Sequence, residues 1–248
     1  FAYDYSTITG TKASGAEISG YSGALEVNVV DFGADKKGKK DSSKAIQKAL
    51  DYAIDNGSNS VQIKVVVPKG KYRIDKLLEI YSNTWLYLED GATIVRNFDK
   101  GCMIKNAQAN GAGGYGSERN IVIEGGCWDG NPSPTSRPFS NMRFGHMKNL
   151  WIKNVEIKNN YNGHHVEIGG VKGITIEDCD FHGYMGTFQK EAIQLDTISN
   201  SDVFPAYEPF DDTPCDNAVI KNNKFHDLIR GLGSHSACLG VYLSLIHI

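Results

Sequence analysis

The sequence predicts an all-β fold, a parallel β-helix built from stacked coils, with one amphipathic helix over its N-terminal end. Three observations carry this expectation. Glycines and asparagines punctuate the chain at short intervals between β-branched clusters, which reads as many short strands joined by tight turns. Four segments of the second half can be laid over one another. A single helical stretch lies near the start, ahead of the repeat.

The four segments are IVIEGGCW (121–128), LWIKNVEI (150–157), ITIEDCDF (174–181) and AVIKNNKF (218–225). Each has an apolar residue, a polar one, a turn-capable residue and a further apolar residue. The turn positions are Gly125, Asn154, Asp178 and Asn222, residue types that adopt left-handed backbone angles at least cost. They are 29, 24 and 44 residues apart, and the last gap holds a polar, proline-bearing insertion around 199–216. A period of roughly 25 residues with a strand–bend–strand unit and no intervening helix is the mark of a β-solenoid, in which asparagine side chains can bond up the stack.

A second strand precedes each bend: MRF (142–144), HVEI (165–168), AIQL (192–195) and GLGS (231–234). Alternation sends Met142, Val166, Ile193 and Leu232 inward, and with them Phe144, Ile168, Leu195 and Ser234. The outward columns are Arg143, Glu167, Gln194 and Gly233, and beside them Gly145, Gly169, Asp196 and His235. In DSSKAIQKALDYAIDNG, the apolar positions Ala45, Ile46, Ala49, Leu50, Ala53 and Ile54 give a helix over about 41–56. Asp41 is its expected N-cap and Gly57 its stop. Such a helix suits the open end of a solenoid. VQIKVVVPKGKYRI and TWLYLEDGATIVRN follow as the first rungs. The expected organisation is an N-terminal extension over 1–26 and one β-helix over 27–248. YLSLIHI has no capping element, so further rungs are expected beyond it, and the residues after about Tyr242 are expected to be a non-native tail.

Composition narrows the functional classes. The 248 residues are 40% hydrophobic and 22% charged with a net charge of −3, so no basic footprint points to nucleic acid. Apolar runs are too short to span a membrane. Five cysteines, with no CxxC pair, read as isolated buried residues rather than a disulfide framework or a zinc site.

The outward face gathers ionisable groups. Asp196 and Glu167 are the candidate catalytic carboxylates, with His235 and Arg230 beside them. His165, Gln194, Arg143, Asp212 and Glu191 are candidate substrate-binding residues; His164, His226 and Asp211 lie near. Strands roughly 4.8 Å apart would hold carboxylates one or two rungs apart at roughly 5–10 Å, the span of glycoside hydrolysis. One carboxyl protonates the leaving oxygen while the other activates water or attacks. The plainer readings are a solvated glutamate for Glu167, structural roles for His235 and Arg230 in a glycine-rich loop, and a solvated turn for Asp211 and Asp212. Trp128 falls on an inward column and reads as core; GAGGYG (111–116) reads as a turn.

The stretch VNVVDFGADKKGKKDSSKAIQKALDYA followed by VVVPKGKYRI resembles the N-terminal signature of the pectin-lyase-like superfamily, which includes polygalacturonase-type glycoside hydrolases. The resemblance rests on Val30-Asp31-Phe32-Gly33-Ala34, Asp41, Ala45-Ile46-Gln47, Ala49-Leu50, Pro68, Gly70 and Tyr72. It implies a right-handed parallel β-helix acting on a polysaccharide or oligosaccharide, secreted or at the cell surface. The NTD, GHG and RIK motifs of polygalacturonases are absent, and the Asp211-Asp212 pair sits in the insertion. Three readings stand: a glycoside hydrolase needing no cofactor, favoured by the paired acids; a polysaccharide lyase, which would often need calcium; and a non-catalytic β-helix of a tail-spike or adhesin.

Overall fold

The computed structural model describes residues 23–108, 111–234 and 239–247. Its strands form one parallel sheet wound into three walls. The chain runs through β1 (Gly23–Asn28), β2 (Lys37–Asp41), α1 (Ser43–Asn56), β3 (Val61–Val67), β4 (Gly70–Ile74) and β5 (Leu78–Ile80). It continues with β6 (Thr84–Leu88), β7 (Ala92–Arg96), β8 (Ile104–Asn106), β9 (Glu118–Glu124) and β10 (Cys127–Asp129). Then come β11 (Met142–Lys153), β12 (Glu156–Tyr161), β13 (Val166–Glu177), β14 (Asp180–Met185), β15 (Glu191–Asp196), β16 (Asp216–His226), β17 (Arg230–Gly233) and β18 (Leu239–His247).

The first wall stacks β1, β3, β6, β9, the C-terminal half of β11, the same half of β13, then β16 and β18. The second stacks β2, β4, β7, β10, β12, β14 and the end of β16. The third stacks β5, β8, the N-terminal halves of β11 and β13, then β15 and β17. Corners fall where the sequence placed its turn residues: Gly125, Asn154, Asp178 and Asn222 have φ of 76°, 55°, 56° and 56°. At a second corner the asparagines bond up the stack, Asn149 Nδ2 to Asn120 Oδ1 at 2.8 Å and Asn120 Nδ2 to Asn83 Oδ1 at 3.1 Å.

The three walls enclose one continuous apolar core that includes Trp128, Phe144, Ile168 and Phe181. α1 packs Ala45, Ile46, Ala49, Leu50 and Ala53 onto this core, over β3 and β5. Two details differ from expectation. The N-cap is Ser42, because Asp41 is still paired in β2 with Arg73. Ile54 points to solvent, since it lies on the helix face turned from the sheet. β1 begins at Gly23, ahead of the expected boundary, and β18 pairs with β16 through His247.

Candidate functional site

The third wall builds a pocket. β15 is the strand EAIQLD, and all six of its residues are buried. Ile193 stacks between Val166 and Leu232, and Leu195 on Ile168, as alternation requires. Glu167 lies beside Arg143 on one side and Gln194 on the other, and Asp196 beside Gly169. Among the described residues, the outward columns read from the sequence are therefore in register. They are outward from the core yet hardly exposed, because the insertion folds back over them.

The covering segment is held by several contacts. Ile198 and Thr213 form an antiparallel bridge at its neck. Ile198, Phe204 and Tyr207 make a small apolar cluster of their own. The glycines beneath leave space for it: a Cβ on Gly145 would come within 2.6 Å of the Tyr207 ring, and one on Gly169 within 2.9 Å of Phe204. The Tyr207 hydroxyl donates to Asn106 Oδ1 at 2.9 Å and the Arg143 carbonyl at 3.0 Å. Asp211 accepts from the backbone N–H of Gly114 at 2.7 Å, pinning the insertion to the GAGGYG turn.

Between the wall and this cover lies a pocket of about 270 Å³. Ser140, Arg143, His164, Glu167 and Asp196 line it from the wall, and Lys190, Asp202, Val203 and Pro205 from the loops. Glu167 is 5% exposed. Its Oε2 accepts from Ser140 Oγ at 2.7 Å, Arg143 Nη2 at 2.7 Å and Arg143 Nε at 2.9 Å. Burial works against the Arg143 charge, but Glu167 outweighs it and holds the guanidinium above its ordinary pKa. Asp196 is 2% exposed, and its Oδ1 accepts from Gln194 Nε2 at 2.9 Å.

Other expected residues stand elsewhere. Glu191 is buried beside the pocket; its backbone carbonyl meets His164 Nδ1 at 2.8 Å, and its Oε1 accepts from Arg230 Nη1 at 3.2 Å. Arg230 is half-exposed and also donates to Gln189, outside the pocket lining. Asp212 is an exposed turn residue with φ of 58°, also outside it. His235 lies outside the described residues.

His165 corrects the expectation of an outward ligand. It is fully buried, its Nε2 bonded to the His182 carbonyl at 2.9 Å and its ring edge-on to Phe181. Burial lowers its pKa to about 4. Its neighbour His164 faces the pocket instead, with its pKa also lowered by burial. β13 begins only at Val166, so the alternation that places Glu167 does not extend back into the bend holding the histidines. Sequence reasoning also missed Ser140 and Lys190 as lining residues. Lys190 was findable, since it immediately precedes β15.

No helix among the described residues is long and apolar enough to cross a membrane. The four described cysteines, Cys102, Cys127, Cys179 and Cys215, are buried.

Comparison with known proteins places the fold. The chain is 27% identical over 247 residues to plasmin and fibronectin-binding protein A of Streptococcus pneumoniae, an alignment covering 84% of this chain and 33% of that protein. The chain thus spans about a third of that relative's length. Its fold resembles the S. pneumoniae surface protein and adhesin PfbA, with a TM-score of 0.72, 22% identity, and coverage of 88% of this chain and 61% of the other. It also resembles a family 28 exopolygalacturonase of Yersinia enterocolitica, with a TM-score of 0.62, 17% identity, and coverage of 82% and 43%. At these identities the structural likenesses establish the fold alone. The family model described as rhamnogalacturonase A/epimerase, pectate lyase-like, matches residues 26–233. The chain is a member of that pectate-lyase-like family of parallel β-helix proteins.

Proposed function

We propose that the third-wall pocket binds an acidic polysaccharide and hydrolyses it, with Glu167 and Asp196 as the catalytic pair. The observation that carries this reading is that both carboxylates line one pocket from adjacent rungs. Their positions differ by one rung and two residues, which sets their Cα atoms about 8 Å apart at about 4.8 Å per rung and about 3.3 Å per residue. That backbone spacing leaves room for an inverting pair, which needs roughly 6.5–9.5 Å between its carboxyl groups to admit a water. Glu167, ion-paired with Arg143, takes the proton of that water, and Asp196 protonates the leaving oxygen. Arg143 and Lys190 supply positive charge for an acidic sugar. A location outside the cell or at its surface fits both a polysaccharide substrate and the surface protein that the fold resembles.

Binding without cleavage is the second reading. It is favoured by the three donors already on Glu167 Oε2 and by the likeness to a plasmin and fibronectin-binding protein. One experiment separates the two. Acidic plant and microbial polysaccharides are incubated with the protein and followed by new reducing ends, by ultraviolet absorbance of unsaturated products and by calorimetric binding. Hydrolysis gives reducing ends without absorbance, and Asp196→Asn lowers the rate by roughly two to four orders of magnitude while melting is unchanged. Full activity in Asp196→Asn overturns the assignment. Absorbance means elimination and shifts attention to Lys190 as base. Binding with neither product makes the pocket a recognition site.

A further inference from the structure

The second wall carries a different constellation, on a surface apart from the pocket. Asp180 and His182 alternate outward along β14, and His226 on β16 lies directly beside His182. The inward partners between them, Phe181 and Phe225, stack with centroids 5.2 Å apart and fix the two strands in register. The histidine rings above are likewise stacked, 4.6 Å apart and 11° from parallel. One ligand atom from each of Asp180, His182 and His226 can be chosen so that all three lie within 4.8 Å of one another.

We propose that Asp180, His182 and His226 bind a first-row transition-metal dication such as zinc. Two imidazoles and a carboxylate are the donors such ions take, whereas calcium and magnesium prefer oxygen alone. The present hydrogen bonds already pair each imidazole with a carboxylate oxygen. His226 Nε2 meets Asp180 Oδ1 at 2.8 Å, and His182 Nε2 meets Glu156 Oε1 at 3.0 Å. A dication would take the place of the shared protons, with Glu156 as fourth ligand, after a side-chain contraction to donor separations of about 3.3 Å.

Two further observations support the assignment. His226 Nδ1 faces Asp227 Oδ2 at 3.2 Å, the carboxylate partner that metal-bound imidazoles typically have on their other nitrogen. Glu156 and Asp180 also line a groove of about 390 Å³ with Asp90 and Asp178, which gives an ion an acidic approach. Two cations stand near: Lys158, held at 2.9 Å by Glu156, and Lys224, beside Asp180 in the strand register. The ion would join residues 46 apart, Asp180 and His226, and so clasp the ends of the stretch that carries β15 and the pocket's cover.

The test uses the whole chain without a polyhistidine tag, titrated calorimetrically with zinc chloride and, separately, cobalt chloride at neutral pH. Melting is measured with and without the ion. The expected result is one ion per chain, a raised melting temperature and a cobalt absorption spectrum with nitrogen ligation. Affinity should fall at least 100-fold in His182→Gln/His226→Gln and roughly 10-fold in Asp227→Asn. Because these side chains are partly exposed, the variants should melt close to the parent without metal. Absence of stoichiometric binding in the parent overturns the proposal. Binding that survives unchanged in the double variant also overturns it, by placing the ion elsewhere.

Discussion

His165 sits among core aromatics with one ring nitrogen bonded to a carbonyl, and it is there as a neutral imidazole. Burial holds its pKa near 4, against about 6.5 in the unfolded chain. Above pH 6.5 neither state is protonated there and folding loses nothing. As pH falls below 6.5 the unfolded chain takes up a proton that the folded one refuses, so stability drops until about pH 4 and then levels off. The loss attributable to His165 is about 3 kcal/mol, and His164, shifted the same way, adds to it. His226 acts in the opposite sense, its pKa raised by Asp227, but in an exposed position where solvent screens the effect. Melting measured between pH 4.5 and 7.5 should therefore show a steep acid limb. His165→Gln, although melting lower at pH 7.5 for lost packing, should flatten that limb; an unchanged limb would place its origin in other groups. The same residue marks where sequence reasoning stops at this scale. Alternation assigns Arg143, Glu167 and Gln194 to one column because each lies within a strand. His165 precedes β13, and a bend has no fixed parity.

At the scale of elements, the decisive pairing is between the glycines of the third wall and the aromatics of the insertion. Gly145 and Gly169 leave two shallow depressions on β11 and β13, into which Tyr207 and Phe204 fit. The sequence showed both halves of this contact but not their meeting. The insertion reads as polar and proline-bearing, and Gly145 and Gly169 read only as outward positions of their column. Only the fold-back makes Phe204 and Tyr207 core residues, and the same fold-back buries Asp196 and Gln194, which period-two alternation leaves exposed. Gly145→Ala tests the contact. Its methyl group would meet the Tyr207 ring at 2.6 Å, and the ring must give way. The cover carries Val203 and Pro205 of the pocket wall, so the substitution should open it. Limited proteolysis should then cut within 199–212 faster than in the parent, and oligosaccharide affinity should weaken several-fold. The walls themselves should stay intact by circular dichroism. Unaltered proteolysis would mean that the bridge between Ile198 and Thr213 alone holds the segment down.

Over the whole molecule, the core is a column rather than a sphere. Each rung contributes inward side chains from all three walls, such as Ile168, Ile176 and Phe181 in one turn, and these stack on the rungs above and below. This regularity made the architecture legible: the bends at Gly125, Asn154, Asp178 and Asn222 mark one corner, and α1 marks the covered end. The wall-to-wall geometry that places a metal-type cluster on one side and the pocket on another was not legible, because sequence period gives the rung but not which wall faces which ligand. A columnar core also has an energetic consequence. Ile168 stacks between Phe144 and Leu195 on the wall that carries the pocket and is fully buried. Ile168→Ala should cost about 2–5 kcal/mol, as large-to-small core substitutions do. In a stack coupled by nearest neighbours, that loss is felt first by adjacent rungs. Hydrogen exchange followed by mass spectrometry should show β11, β13 and β15 losing protection, while β3 and β5, packed under α1, keep most of theirs. The pocket lies within the affected rungs, so affinity for an acidic oligosaccharide should fall with their protection. Equal loss from β1 to β17 would instead mean that the column opens as one cooperative unit, with the pocket only as stable as the whole chain.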